Sequence, residues 1–274
     1  YYQAYFFKGQ LLSKKSSYQD QHTGNAIDSQ QKAIEQLQIA LNTSPDNTDI
    51  LLALGFAYFQ KIKLLQDRDA PVQQEFKVGI ATFEKISPVN RDYFFFNHYA
   101  NLLQMMAINN ANHQAADSNK HIEAKLNDKI FQQAINAYQQ AILLQPNRIG
   151  AKVNQATVYK NWSEWLLPSS AQLKLLKAIS LDEDALKLDD KHFVVNFYLG
   201  KNYRLLAKAN NALFIDNTEQ FKKSVYYLAQ AEKVQARHPF VVVEKSLLVA
   251  ELAIKEWQQG LSYKEKLIEG QKLL

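Results

Sequence analysis

The sequence predicts an all-α protein, a right-handed α-solenoid of about six antiparallel helical hairpins, and three observations lead there. Apolar residues recur at spacings of three and four through most of the chain, as one face of a helix requires. Prolines and polar turns interrupt that periodicity. A small residue returns in every other helical stretch, at Gly9, Gly55, Ala100, Ala156 and Gly200, with intervals of 46, 45, 56 and 44 residues. A period of about 45 residues with one expanded copy describes a unit with one apolar side, which it can bury only against its neighbours.

The clearest unit is IFQQAINAYQQAILLQPNRIGAKVNQATVYKN, residues 130–161. Ala134, Tyr138 and Ala141 share a helix face, Pro146 stops it, and Val153, Ala156 and Tyr159 restart the same spacing. At the N-terminal end Tyr5, Gly9 and Leu12 share a face; a polar segment SSYQDQHTGN follows, and a second helix carries Ala33, Leu37 and Ala40 before Pro45. Asp28 with Gln31 reads as its capping box. The next hairpin sets Leu51, Leu54, Gly55 and Tyr58 on one stripe, turns at QDRDAP, and returns with Gly79, Phe83 and Ile86 ahead of Pro88. Gly55 in a helix interior costs about 1 kcal/mol against Ala, so close approach of the partner helix is its expected reason.

From Arg91 onward Phe96, Ala100 and Leu103 share a face, and a polar insert, residues 108–128, delays the following helix. Further on, Pro168 precedes an expected capping box Ser169–Gln172 and the helix AQLKLLKAISLDEDALKL. Leu199, Gly200 and Tyr203 restore the first-helix pattern, Asp216–Glu219 reads as another capping box, and Ser224, Leu228 and Ala231 restore the second-helix pattern. The final stretch from Pro239 is degenerate, as terminal repeats are.

Composition narrows the classes. With 47% hydrophobic and 22% charged residues in 274, the chain can bury a sizeable core, and eight Gly with six Pro are too few for an all-β protein. No apolar run approaches the roughly 20 residues of a spanning helix. Zero Cys rules out a disulfide framework and thiolate metal sites, and fits a reducing compartment, so a cytoplasmic location is expected, without excluding the periplasm. The opening YYQAYFFKGQ, without Met, reads as part of a longer chain. A net charge of +5 and pI near 9.0 raise nucleic acid as a partner. The basic residues are spread thinly among acidic ones, so a solvated surface is the plainer reading.

No catalytic constellation stands out. The glycines never cluster into a phosphate loop, and the kinase catalytic-loop and metal-binding signatures are missing. His113 and His121 with Asp117 match no metal-ligand spacing, so they read as a solvated loop. Asp182, Glu183 and Asp184 read as a solvated helix face rather than an acid/base pair. No catalytic residue, metal or cofactor is therefore assigned.

At these residues the sequence resembles the tetratricopeptide (TPR) family. Leu54-Gly55 with Tyr58 and Leu199-Gly200 with Tyr203 match the family's first helix; Ala33, Leu37, Ala40 and Pro45, and Ala134, Tyr138, Ala141 and Pro146, match its second. The resemblance covers nearly all of 1–274, read as one domain, and fades after Pro239. The departure is the period, since the family's repeat is about 34 residues and about ten more are expected here between the two helices of each hairpin. The long period and the connectors look similar to C-terminal regions of large bacterial signalling proteins, serine/threonine kinases in particular.

The resemblance implies a non-catalytic scaffold whose first helices line a concave groove that binds a partner protein or peptide. In that register Asn97 and Asn101, Asn154 and Lys160, and Lys201 and Arg204 face the groove, with Phe94 as an apolar anchor and Phe96 in the core. Amides suit a peptide backbone and Lys or Arg suit carboxylates, so an extended or acidic peptide is the expected ligand. Two other classes stay open: a helical-repeat nucleic-acid binder, and an oligomerisation module that uses the solenoid ends.

Overall fold

Every first helix begins seven residues before its small residue, at Tyr2, Thr48, Tyr93, Ile149 and Phe193, so the repeat is keyed to the helix starts. The computed structural model describes residues 1–22, 24–115, 120–260, 263–265 and 268; the side chains of 114–126 lie outside the description. Among the described residues there are eleven α-helices, one 3-10 turn at Pro88–Asn90 and no strand. Helices α1 (Tyr2–Gln21) and α2 (Ala26–Thr43) form the first hairpin, α3 (Thr48–Gln66) and α4 (Gln73–Glu84) the second, α5 (Tyr93–Ala115) and α6 (Lys120–Leu144) the third. Helices α7 (Ile149–Ser163) and α8 (Pro168–Leu186) form the fourth, α9 (Phe193–Ala212) and α10 (Thr218–Val234) the fifth, and α11 (Pro239–Gln258) begins the last. These repeats fall into two compact units, Tyr1–Gln145 and Pro146–Leu274.

Within a hairpin the contact is a small residue against a large one. A Cβ at Gly9 would stand 2.7 Å from Leu37 Cγ, one at Gly55 2.6 Å from the Phe83 ring, and one at Gly200 2.6 Å from Leu228 Cγ. In all three the large residue follows the glycine by 28 positions. The absent side chains let the two helix backbones approach, and Leu37, Phe83 and Leu228 are buried completely in the space left. Burying a side chain of that size stabilises by about 1.5–3 kcal/mol. The flanking small residues, Ala33 and Ala40, Ala134 and Ala141, and Ser224 and Ala231, are equally inaccessible. Between hairpins the cores join: Leu54, Ala57 and Tyr58 of α3 pack on Ile34 and Leu37 of α2, and Phe83 of α4 meets Phe95 of α5 edge-on at 6.0 Å.

The extra length of the repeat lies in helix, not in loops between helices. The segment expected as a polar linker after Leu12 continues α1 as far as Gln21, and the insert 108–128 extends α5 to Ala115 and starts α6 at Lys120. Both stretches are polar, but the first meets no Pro or Gly until position 24 and the second contains neither, and a polar segment beside a packed neighbour stays helical. Ser16 shows how: its hydroxyl, buried, donates to Ala26 O across the hairpin at 2.7 Å.

Helix starts also differ from the expected capping boxes. Asn25, not Asp28, caps α2, accepting from Asp28 N at 3.2 Å, and Gln31 turns to Glu35. Helix α8 opens on Pro168 at its first turn without a side-chain cap, and Gln172 donates to Asn210 at 2.9 Å. Asp216 sits one residue before the cap of α10, accepting from Thr218 N and Oγ1. In the aromatic triplet, Phe95 is the buried ring and Phe96 only packs at the edge of that cluster, contrary to the sequence expectation.

Candidate functional site

The three first helices of the unit Tyr1–Gln145 enclose an open groove of about 790 Å³. From α1 it is lined by Phe6, Gln10, Ser13, Lys14 and Ser17, spaced by four and three along one stripe; from α3 by Asp49, Leu52, Ala53, Phe56 and Gln60. Asp92 leads into α5, which contributes Phe94 and His98, and Leu37 forms part of the floor. The rings form a run, with Phe56 to His98 at 4.7 Å and Phe94 to His98 at 6.4 Å between centroids. Phe94 keeps 45% of its surface accessible at the groove. Burial lowers the His98 imidazole below the usual histidine range, Asp92 working the other way, so the ring enters neutral pH uncharged.

The groove is polar at its ends. Asp49 stands in the first turn of α3, and Asp92 accepts from Phe95 N at 2.9 Å at the start of α5. At the far end Lys14 lies on α1 near Ser17, whose hydroxyl accepts from Gln60 of α3 at 3.4 Å.

Of the residues expected to face a groove, Phe94 alone lines this one. Asn97 is half-buried on α5 and is not among the lining residues. Asn101 is turned to α6, where its Oδ1 accepts from the Tyr138 hydroxyl. Burial pushes that phenol well above the usual tyrosine range. The amide thus anchors the third hairpin.

The other four lie in the unit Pro146–Leu274. Asn154 is half-buried on α7 and Lys201 half-buried on α9. Lys160 is only 8% exposed; burial draws its ammonium below the usual lysine range, against Glu164 at 2.9 Å, and Lys201 lowers it further. Arg204, 5% exposed, is bound by two carboxylates of α11, Glu244 and, at 2.5 Å, Glu251. A guanidinium held this way between helices is structural, which corrects the expectation of a groove-facing Arg204. A long side chain one residue C-terminal to Tyr203 meets the carboxylates of the next first helix, α11, instead of solvent.

Asp182 is a second correction. It occupies the position of Leu37, Tyr138 and Leu228 in the frame small–x3–large–x2–small, between Ala178 and Ala185, and it is wholly buried. Asn202 Nδ2 donates to its Oδ2 at 2.8 Å, while Asp182 Oδ1 and Asn202 Oδ1 have no hydrogen-bond partner among the described residues. Burial pushes the carboxyl well above the usual carboxylate range, Asn202 working in the opposite direction. Glu183 accepts from the Tyr203 hydroxyl at 2.7 Å, and only Asp184 behaves as a solvated residue, pairing with exposed Lys187. Among the described residues no His, Asp and Glu cluster of three could hold a metal ion, and no helix is long and apolar enough to cross a membrane. Of the histidine pair, His113 is exposed, while Asp117 and the His121 side chain lie outside the described residues.

Sequence reasoning missed Phe6, Phe56 and His98 because it followed the core stripe and one edge of each first helix. A signal was present. Phe6 with Gln10, Leu52 with Phe56, and Phe94 with His98 repeat at spacing four, beside the buried stripe rather than on it.

No protein-family model matches the chain and no curated protein matches its sequence. Solved structures do. The S. pombe nuclear import adaptor Nro1 is similar at a TM-score of 0.64 with 12% identity, over 100% of this chain and 92% of that one. A thermophilic TPR protein from Thermus thermophilus is similar at 0.49 with 14% identity, over 88% of this chain and 99% of that one. What the chain shares with Nro1 is its fold, an all-α array of helical hairpins.

Proposed function

We propose that the chain is a non-catalytic scaffold that binds a segment of a partner protein in the groove between α1, α3 and α5. The observation that carries this is the aromatic run Phe94–His98–Phe56, with Phe94 exposed and the other two rings half-buried, in an open channel of about 790 Å³ built on helices. A preformed apolar channel with a few polar groups at its ends is how a rigid receptor holds an extended or helical segment with little ordering of its own. The fold likeness to an import adaptor agrees with this reading, and no ligand is carried over from it. A place in a larger bacterial signalling protein, kinase-like, rests on the sequence resemblance, and a cytoplasmic location on the absence of Cys. Nucleic acid is the weaker reading, because the basic residues are spread thinly among acidic ones and several are already paired, Lys61 with Glu75 and Lys245 with Glu232 among them.

A photo-crosslinking amino acid placed at position 94, and in a control at exposed Ile39 on α2, tests the reading in cell extract. Protein adducts from position 94 and not from 39 are expected. Equal labelling at both positions, or nucleic acid as the main adduct, would refute it.

A further inference from the structure

The charges around the groove sit at its two ends and differ in sign. Helices α1 and α3 are first helices of successive hairpins and run in the same direction, as do α3 and α5. Asp49 and Asp92 both mark helix starts, at the end where Phe6 and Phe94 stand; Lys14 and Ser17 lie two to three turns further along α1, beside Gln60. Between them the lining is apolar or uncharged: Leu52, Ala53, Phe56 and a neutral His98. All three charged residues are exposed, and none has an ion-pair partner within 4.0 Å among the described residues. An acidic peptide, the ligand that a carboxylate-binding groove would take, meets two carboxylates at one end and a single lysine at the other.

We propose that the groove selects a segment with direction: apolar or aromatic side chains at its centre, a basic residue against Asp49 and Asp92, and an uncharged or acidic residue toward Lys14. This rests on the groove reading above and adds the ligand's chemistry and orientation. The central rings supply contact area, since aromatic and Arg anchors dominate such interfaces. The end charges decide which way round the segment lies, because charge complementarity contributes more to specificity than to affinity. Asp92 keeps one oxygen on Phe95 N and has the other to offer.

A random peptide phage library panned against the whole chain, followed by fluorescence titration of the selected peptides, tests this with three variants. Phe94→Ala removes an exposed ring, Asp49→Asn/Asp92→Asn removes charge while leaving an amide able to cap α5, and Lys14→Gln removes the opposite charge. Selected peptides should carry two or more large apolar residues with a Lys or Arg on one flank. Phe94→Ala should weaken them about tenfold or more, and Asp49→Asn/Asp92→Asn should weaken them several-fold and abolish the preference for a basic flank. Peptides rich in Asp and Glu that need Phe94 but ignore the Asp49→Asn/Asp92→Asn change would overturn the proposed chemistry and leave the groove. Binding indifferent to Phe94→Ala, or no enrichment at all, would overturn the groove itself.

Discussion

In the unit Tyr1–Gln145 the first helices carry rings and short polar groups on their open side, and Phe94 remains 45% exposed there. In the unit Pro146–Leu274 the corresponding helices carry Lys160, Asn202, Arg204 and Glu244, each less than a tenth exposed. The two units share one frame and even the same glycine-on-leucine contact, Gly9 on Leu37 and Gly200 on Leu228. They differ in what the polar positions do. In the second unit those side chains are taken up by one another, Arg204 with Glu244 and Glu251, Asn202 with Asp182. In the first, the open side has few such pairs and a channel is left. Residue type therefore says little about binding until its partners are known, since a buried Arg–Glu pair and a ligand-binding Arg look alike in sequence.

The largest test of this contrast is Arg204→Leu, which leaves Glu244 buried without its cation and should destabilise by about 3–5 kcal/mol in urea unfolding. Adding Glu244→Leu should recover most of the loss. A loss under about 1 kcal/mol from the single change would mean that the pair is solvated and Arg204 is available to a ligand. Next is Gly55→Leu in the first unit, where even a Cβ would stand 2.6 Å from the Phe83 ring. Overpacking should cost about 1–3 kcal/mol, and an unchanged melting midpoint would contradict the close helix contact.

Asp182 supplies a pH test that belongs to the second unit. Its folded pKa lies above its unfolded value near 3.9, so its contribution to stability is complete below about pH 3.9 and is lost as pH rises through the folded pKa. One such group gives a slope of at most about 1.4 kcal/mol per pH unit. Asp182→Asn should remove that downward contribution from the stability–pH curve; a variant whose pH dependence matches that of the wild type through the same window would place the carboxylate in water. The smallest effect is expected from Phe94→Ala on folding, within about 0.5 kcal/mol because the ring is exposed. Loss of partner binding without loss of stability would separate the groove from the core.

Much of the architecture was legible in the residues. The spacing Ala33–Leu37–Ala40 and its repeats marked the second helices, and Gly55 and Gly200 marked close approaches, because steric exclusion acts locally and periodically. Loop lengths were misjudged, since SSYQDQ is polar enough for a linker and is nevertheless held in α1 by tertiary contacts such as Ser16 to Ala26. Asp182 was misjudged as well. Three consecutive acids suggest a solvated face, yet the first of them falls on the central buried position of the hairpin frame, between Ala178 and Ala185.

By itself the sequence determined where the core-facing helices lie, which prolines end them and where two backbones must touch. These follow from the 3.6-residue period, proline's missing N–H and the space a glycine leaves. The tertiary structure alone decided which polar side chain is consumed by a neighbour and which edge of a helix stays open. Asn101 and Phe94 lie seven residues apart on α5, and one is bound by Tyr138 while the other faces the channel. That division depends on distances between residues far apart in the chain, which no local pattern encodes.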